Sequence, residues 1–155
     1  MKNNDLNIKN NFILILLIVI ILIPIGLNNY LLFHNLVELG SIILAFTLTI
    51  VVINTKDYID NNYLIFLGLA YFFVASFDLI HTISYKGIGV FTNTTANLPT
   101  QLWIAGRFFE AASLSTALYL INKKKINIKK TFFILSIITS ILFIFVFSGF
   151  FSYRK

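Results

Sequence analysis

The sequence has no cysteine, only two prolines and one tryptophan, and few charged residues, which make up 12% of its 155 residues. Without cysteine there is no disulfide, no thiolate metal site, no covalently attached c-type haem and no cysteine nucleophile. Soluble domains carry about 25% charged residues, so this chain has too few polar side chains to cover a globule in water. With 58% hydrophobic residues and a mean hydropathy of +0.87, it is predicted to be an integral membrane protein.

Five apolar segments have the length of membrane helices. A bilayer requires about 20 apolar residues for a helix, whereas barrel strands would be about half as long. The predicted spans are about 12–27, 31–53, 63–83, 100–121 and 131–151, between a polar tail at 1–11 and a short tail at 152–155. The expected fold is an all-α, polytopic transmembrane helical bundle that forms one domain.

The distribution of lysines predicts the orientation of the bundle. The lysines that fall on one side are Lys2, Lys9, Lys56 and five between residues 122 and 130. Because positively charged loops stay inside, the N-terminus is expected to be cytoplasmic and the loop at 84–99 to face outward. Orientation also explains the net charge of +6, and no nucleic-acid partner is expected.

An odd number of spans would place the C-terminal basic residues on the outer side. Arg154 and Lys155 are poorly placed there, because the same rule keeps basic residues inside. We therefore expect at least one further span beyond this chain, so that the sequence is a truncated or unusually short form of its domain.

Six ionisable residues fall inside three of the predicted spans, at similar depth in the outer half of the membrane. They are His34 and Glu38 in the second span, Asp78 and His81 in the third, and Arg107 and Glu110 in the fourth. The two members of each pair are three or four residues apart and share a helix face. An unpaired charge near a helix centre costs about 2.5–3.5 kcal/mol, so we expect the six to converge, near Trp103, around a ligand pocket.

Several kinds of chemistry fit this set of residues, and the cofactor stays unknown. His34 and His81 can ligate a b-type haem, and together with Glu38 and Asp78 they can bind a metal ion. The same histidines suit a proton sensor. Another option is an organic ligand, anion or quinone held by Arg107 near the tryptophan. The plain alternative is an ion-pair cluster that serves packing alone.

Other residues of the third and fourth spans are interpreted as structural. The aromatic residues of the third span, expected to be packing and interface anchors rather than a ligand cage, are Tyr63, Phe66, Tyr71, Phe72 and Phe73. Small residues let membrane helices approach each other closely. Those expected to do so between the third and fourth spans are Gly68, Ala75, Gly106 and Ala111.

Four stretches of the chain, taken in order, resemble a known family. They are FHNLVEL at 33–39, DNNYLIFLGLAY at 60–71, DLIHT at 78–82 with YKG at 85–87, and NLPTQLWIAGR at 97–107 with Glu110. Across about residues 31–115 the pattern resembles the third family of membrane-associated sensor (MASE-type) domains. The resemblance implies a bacterial, multi-pass inner-membrane input module, normally N-terminal to a histidine kinase, diguanylate cyclase or related output domain. The family pattern falls on the same six ionisable residues.

The leading hypothesis is therefore a non-enzymatic transmembrane sensor domain for signal transduction. An unidentified small ligand, bound in an outer-leaflet pocket built from the second, third and fourth spans, would favour one of two helix arrangements, which a signalling partner in the cytoplasm or membrane reads. Whether the chain forms a homodimer in the bilayer is open. The alternative is a metal- or haem-binding membrane redox protein or hydrolase, and the third reading is a structural membrane protein without a ligand.

Overall fold

The computed structural model describes residues 2–91, 97–123 and 125–148, with side chains from residue 10 onward. The described chain folds into five α-helices: α1 Lys2–Asn28, α2 Tyr30–Thr55, α3 Asn62–Ser84, α4 Asn97–Leu120 and α5 Ile128–Phe147. The predicted all-α fold is confirmed. Helix α1 already begins at Lys2, so the polar segment predicted as an N-terminal tail is helical, while the predicted tail at 152–155 lies outside the described residues.

Four segments of the described helices are long and apolar enough to cross a membrane. They are Asn10–Asn28, Tyr30–Thr55, Asn62–Ser84 and Ile128–Phe147. Helix α4 is not among them, because polar and ionisable residues such as Gln101, Arg107 and Glu110 interrupt its apolar sequence. The insertion of α4 as a further span stays a prediction.

The chain divides into two compact units, Met1–Val37 and Glu38–Lys155. In the first unit, the junction between α1 and α2 is a single residue, Asn29. Its side-chain oxygen accepts a hydrogen bond from the backbone N–H of Leu32 at 3.0 Å. This bond satisfies one of the free N–H groups in the first turn of α2.

In the second unit, α3 is the most buried helix and packs against both α4 and α5. Phenylalanine rings fill the space between these three helices. The rings of Phe77 and Phe143 lie 4.4 Å apart between centroids, and those of Phe73 and Phe132 lie 5.1 Å apart. Tilted aromatic contacts at these separations are favourable, so ring packing holds α5 against α3.

Two glycines allow α3 to approach its neighbours closely. A Cβ atom on Gly106 of α4 would lie 3.0 Å from the Cβ of Phe77 on α3, as expected from the sequence. A Cβ on Gly68 would lie 2.5 Å from Val52 of α2, and the Thr49 hydroxyl donates to the Gly68 carbonyl at 2.7 Å. The predicted partner of Gly68 was therefore wrong, because this residue lies against α2 rather than α4.

Asn62, in the first turn of α3, fixes the loop between α4 and α5. Its side-chain amide donates to the carbonyl of Lys123 at 2.6 Å, and its side-chain oxygen accepts from the N–H of Ile126 at 3.1 Å. Nearby, Lys125 Nζ is 3.7 Å from a carboxylate oxygen of Asp60. The two loops that the lysine pattern assigns to one side thus lie at the same end of the second unit.

Candidate functional site

Arg107 of α4 is the centre of an ion-pair cluster. Its Nη2 donates to both carboxylate oxygens of Asp78 on α3, at 2.7 Å from Oδ2, and its Nη1 donates to Oε2 of Glu110 at 2.6 Å. Glu110 lies three residues further along α4 and shares a helix face with Arg107. Charge-assisted hydrogen bonds of this kind are the strongest in proteins, so one guanidinium group joins α3 to α4.

Tyr71 of α3 completes the cluster. Its hydroxyl donates to Oε1 of Glu110 at 3.1 Å, so both carboxylate oxygens of Glu110 accept a hydrogen bond. The sequence interpretation of Tyr71 as a packing anchor missed this polar role. The signal that could have revealed it is spacing, because Tyr71 lies seven residues, or about two helical turns, before Asp78 on the same face of α3.

The close approach of α4 to α3 positions the guanidinium. Gly106 immediately precedes Arg107, and the position of a Cβ on Gly106 is 3.8 Å from Oδ1 of Asp78. A larger side chain at this point would hold the helices apart. The glycine therefore allows a short reach from Arg107 to a carboxylate that is itself buried, with only 6% of Asp78 exposed.

These side chains line a cavity of about 190 Å³ between α2, α3 and α4. Its lining residues are Glu38, Ser41, Ala45, Tyr71, Val74, Asp78, Trp103, Arg107 and Glu110. Five of the seven predicted ligand-binding residues are thus brought together. Asp78 is buried, whereas 47% of Trp103 is exposed.

The charges around the cavity are unequal. The carboxylates of Glu38, Asp78 and Glu110 face a single guanidinium, which leaves an excess of two negative charges when all four groups are ionised. In the described part of the chain, Arg107 forms ion pairs with Asp78 and Glu110, and Glu38 takes part in none. In the described part of the chain, the groups of this cavity that are left to meet a ligand are therefore the Glu38 carboxylate and the buried Nε of Arg107, which donates no hydrogen bond.

His81 is buried near the end of α3 and has a different role. Its Nδ1 lies 2.8 Å from the carbonyl oxygen of Pro99, in the first turn of α4. Because a carbonyl only accepts, Nδ1 carries a hydrogen and donates it. His81 thereby ties α3 to the start of α4, and it is not one of the residues that line the cavity. Its predicted function as a metal or ligand-binding residue stays a prediction.

His34 belongs to the first unit. Its ring stacks on that of Tyr30, one turn earlier in α2, with the centroids 6.1 Å apart. The predicted metal or haem site, with His34 and His81 as ligands beside Glu38 and Asp78, stays a prediction.

The long apolar helices and the cavity lined by ionisable side chains are typical of a membrane protein whose charged groups lie between helices rather than facing lipid. More narrowly, the chain belongs to the MASE3 family of membrane-associated sensor domains, whose family model matches residues 25–153. The matched range contains every residue that lines the cavity, and it confirms the resemblance seen in the sequence. Membership supports a sensory input role at a membrane. No curated protein and no solved structure matches this chain.

Proposed function

We propose that this chain is a non-enzymatic input domain of the bacterial cell membrane that binds a small stimulus ligand in the cavity around Arg107. The observation that carries the proposal is the cluster itself, in which one guanidinium group holds Asp78 of α3 and Glu110 of α4. An ionic junction between two helices of a sensor domain is a point at which a bound charge can change helix packing.

The mechanism follows from competition for the carboxylates. A ligand that interacts with the charged groups of the cavity alters the strength of the contacts between Arg107 and Asp78. Since those contacts connect α3 to α4, their free energy contributes to the equilibrium between two arrangements of the helices. The ligand shifts this equilibrium only by the difference between its affinities for the two arrangements. A signalling partner in the cytoplasm or membrane then reads the populated arrangement.

The size of the cavity favours a small ligand over a large cofactor. Pockets for drug-sized molecules are about 300–1,000 Å³, and this cavity is about 190 Å³. A b-type haem or a quinone is larger than this space. The cavity therefore favours a small stimulus ligand over either of these two cofactors.

The proposal is tested with a chimera in which residues 1–155 replace the membrane input domain of a diguanylate cyclase of the same family. Cyclic-di-GMP is then measured in cells for the wild type and for Arg107→Gln. Because the substitution removes the ionic junction between α3 and α4, we expect the basal output to change severalfold. The matched control is Phe108→Leu, next to Arg107 in sequence but with 75% of its surface exposed, and it should leave the output unchanged.

Membrane fractionation and protein level accompany each measurement, so that insertion and output are separated. An Arg107→Gln chimera that is inserted at the wild-type level and gives the wild-type output would overturn the proposal. An equal change in the Phe108→Leu control would overturn it as well, because the effect would then not come from the cluster.

A further inference from the structure

We infer that the ligand of this cavity is a small organic ammonium cation, held by the Glu38 carboxylate beside the indole ring of Trp103. The inference rests on the proposed function, because it names the ligand class of the same site. It depends on three features of the cavity: its charge, the hydrogen bonds that its carboxylates already make, and its aromatic wall.

The charge of the cavity favours a cation. With three carboxylates around one guanidinium, an anion would enter a site that already has an excess of negative charge. Asp78 and Glu110 are already held by charge-assisted hydrogen bonds from Arg107. A monovalent cation instead reduces the excess and needs no existing bond to break.

The hydrogen bonds within the cavity favour an ammonium group over a calcium ion. Both oxygens of Asp78 accept from Arg107, and the oxygens of Glu110 accept from Arg107 and Tyr71. Calcium takes six to eight oxygen ligands, which this cavity can supply only if Arg107 is displaced. An ammonium group requires a few acceptors for its N–H bonds, and the Glu38 carboxylate provides two oxygens.

The remaining wall of the cavity suits the organic part of such a ligand. The Trp103 indole, which lines the cavity and is half exposed, offers an aromatic surface of the kind that attracts cations. Ser41 lies one turn after Glu38 on α2, and its hydroxyl already donates to the Glu38 backbone carbonyl at 2.8 Å. The Ser41 oxygen therefore has lone pairs to accept an N–H from the ligand, beside the apolar side chains of Ala45 and Val74.

The position of these groups connects binding to helix packing. Glu38 belongs to α2 and Trp103 to α4, so an ammonium ligand would contact both helices across the face of α3 that carries Asp78. The cation would also lie near the Arg107 guanidinium, and the repulsion between the two like charges would act on the junction between α3 and α4. Occupancy would therefore weaken this junction while it adds a contact between α2 and α4.

The fluorescence of Trp103 can report ligand binding, because this residue is the single tryptophan of the chain and lines the cavity. The full chain in lipid nanodiscs is titrated with methylammonium chloride, and the tryptophan emission is recorded against sodium chloride at equal ionic strength. We expect a saturable change in emission with methylammonium and none with sodium. Glu38→Gln should weaken the apparent affinity by about tenfold, the effect expected when one charge-assisted hydrogen bond is lost.

The matched control is Asp60→Asn, which removes a carboxylate of the exposed loop before α3 and should leave the affinity unchanged. Calorimetric titration of Glu38→Gln gives a second reading that does not depend on fluorescence, and circular dichroism confirms its helical content. Equal affinities for wild type and Glu38→Gln, or no saturation with methylammonium, would overturn the inference. A saturable response to sodium acetate or magnesium chloride instead would overturn the ammonium assignment and leave the sensory proposal standing.

Discussion

At the scale of single residues, burial decides which of the ion pairs contributes to stability. The pair between Lys125 and Asp60 is exposed and 3.7 Å long, and such surface pairs contribute little because water screens them. Asp78 is almost completely buried, so its carboxylate depends on Arg107 for compensation. Leaving one partner of a buried pair alone is far more costly than losing a surface pair.

We therefore expect Arg107→Gln to lower the free energy of unfolding by on the order of 3 kcal/mol, whereas Lys125→Gln should have no measurable effect. The physical reason is that Gln leaves the Asp78 carboxylate buried without a countercharge. Both variants are compared by denaturant titration in mixed micelles, with helicity as the signal. A double variant, Arg107→Gln with Asp78→Asn, should recover much of the loss; a further loss of similar size would contradict this explanation.

His81→Phe tests the hydrogen bond to Pro99. The substitution keeps an aromatic ring of similar size but removes the donor to the Pro99 carbonyl. We expect a loss of about 0.5–1.5 kcal/mol in unfolding free energy, measured by the same titration. His81→Asn, which retains a side-chain N–H, should be less harmful than the phenylalanine variant, and the reverse order would argue against a role as donor.

At the scale of helices, the contact between α2 and α3 depends on a glycine, Gly68, which has no side chain to hold the two helices apart. The Cβ position of Gly68 is only 2.5 Å from Val52, and the Gly68 carbonyl accepts the Thr49 hydroxyl. In a membrane, where lipid is as apolar as the helix surface, close backbone approach and interhelical hydrogen bonds are what hold helices together. Gly68 provides both.

Gly68→Ala should therefore destabilise the protein by about 1–3 kcal/mol, because the added methyl group overpacks the contact. Gly40→Ala is the matched control: no atom lies within 4 Å of its Cβ position, so alanine should instead stabilise α2 by about 0.5–1 kcal/mol. Val52→Ala should partly rescue Gly68→Ala, as measured by unfolding in micelles. Equal effects at the two glycines would show that helix propensity, and not the contact with Val52, controls the result.

The sequence allowed the helices and much of the cavity to be predicted, for reasons visible in particular residues. Long apolar runs define the helices, and the cost of charge in lipid brings Asp78, Arg107 and Glu110 together. Which neighbouring helix a residue contacts depends on how the helices pack together, and this cannot be predicted from the sequence of one helix. Gly68 was therefore assigned to the wrong neighbour, and the polar contact of Tyr71 was missed.

At the scale of the whole molecule, the absence of cysteine makes the orientation directly testable. Asp57 and Asn122 lie in the two loops predicted to be cytoplasmic, and Lys86 lies in the loop after α3. Single cysteines at these positions should label differently with a membrane-impermeant maleimide on intact spheroplasts. Lys86→Cys should react at once, whereas Asp57→Cys and Asn122→Cys should react only after permeabilisation. Labelling of all three before permeabilisation would contradict the predicted orientation of α3 and α4.

The bonds of Asn62 also restrict the movement of α3 relative to α4 at one end of these helices. They join the beginning of α3 to the loop that follows α4 and precedes α5. Helices tied at one end move mainly by changing their angle, so weakening the Arg107 junction would tilt α3 against α4 about the Asn62 end. The lysine-bearing loops would then shift little in position, and the proposed signalling partner would register a rotation of the helix ends rather than a displacement along the membrane normal.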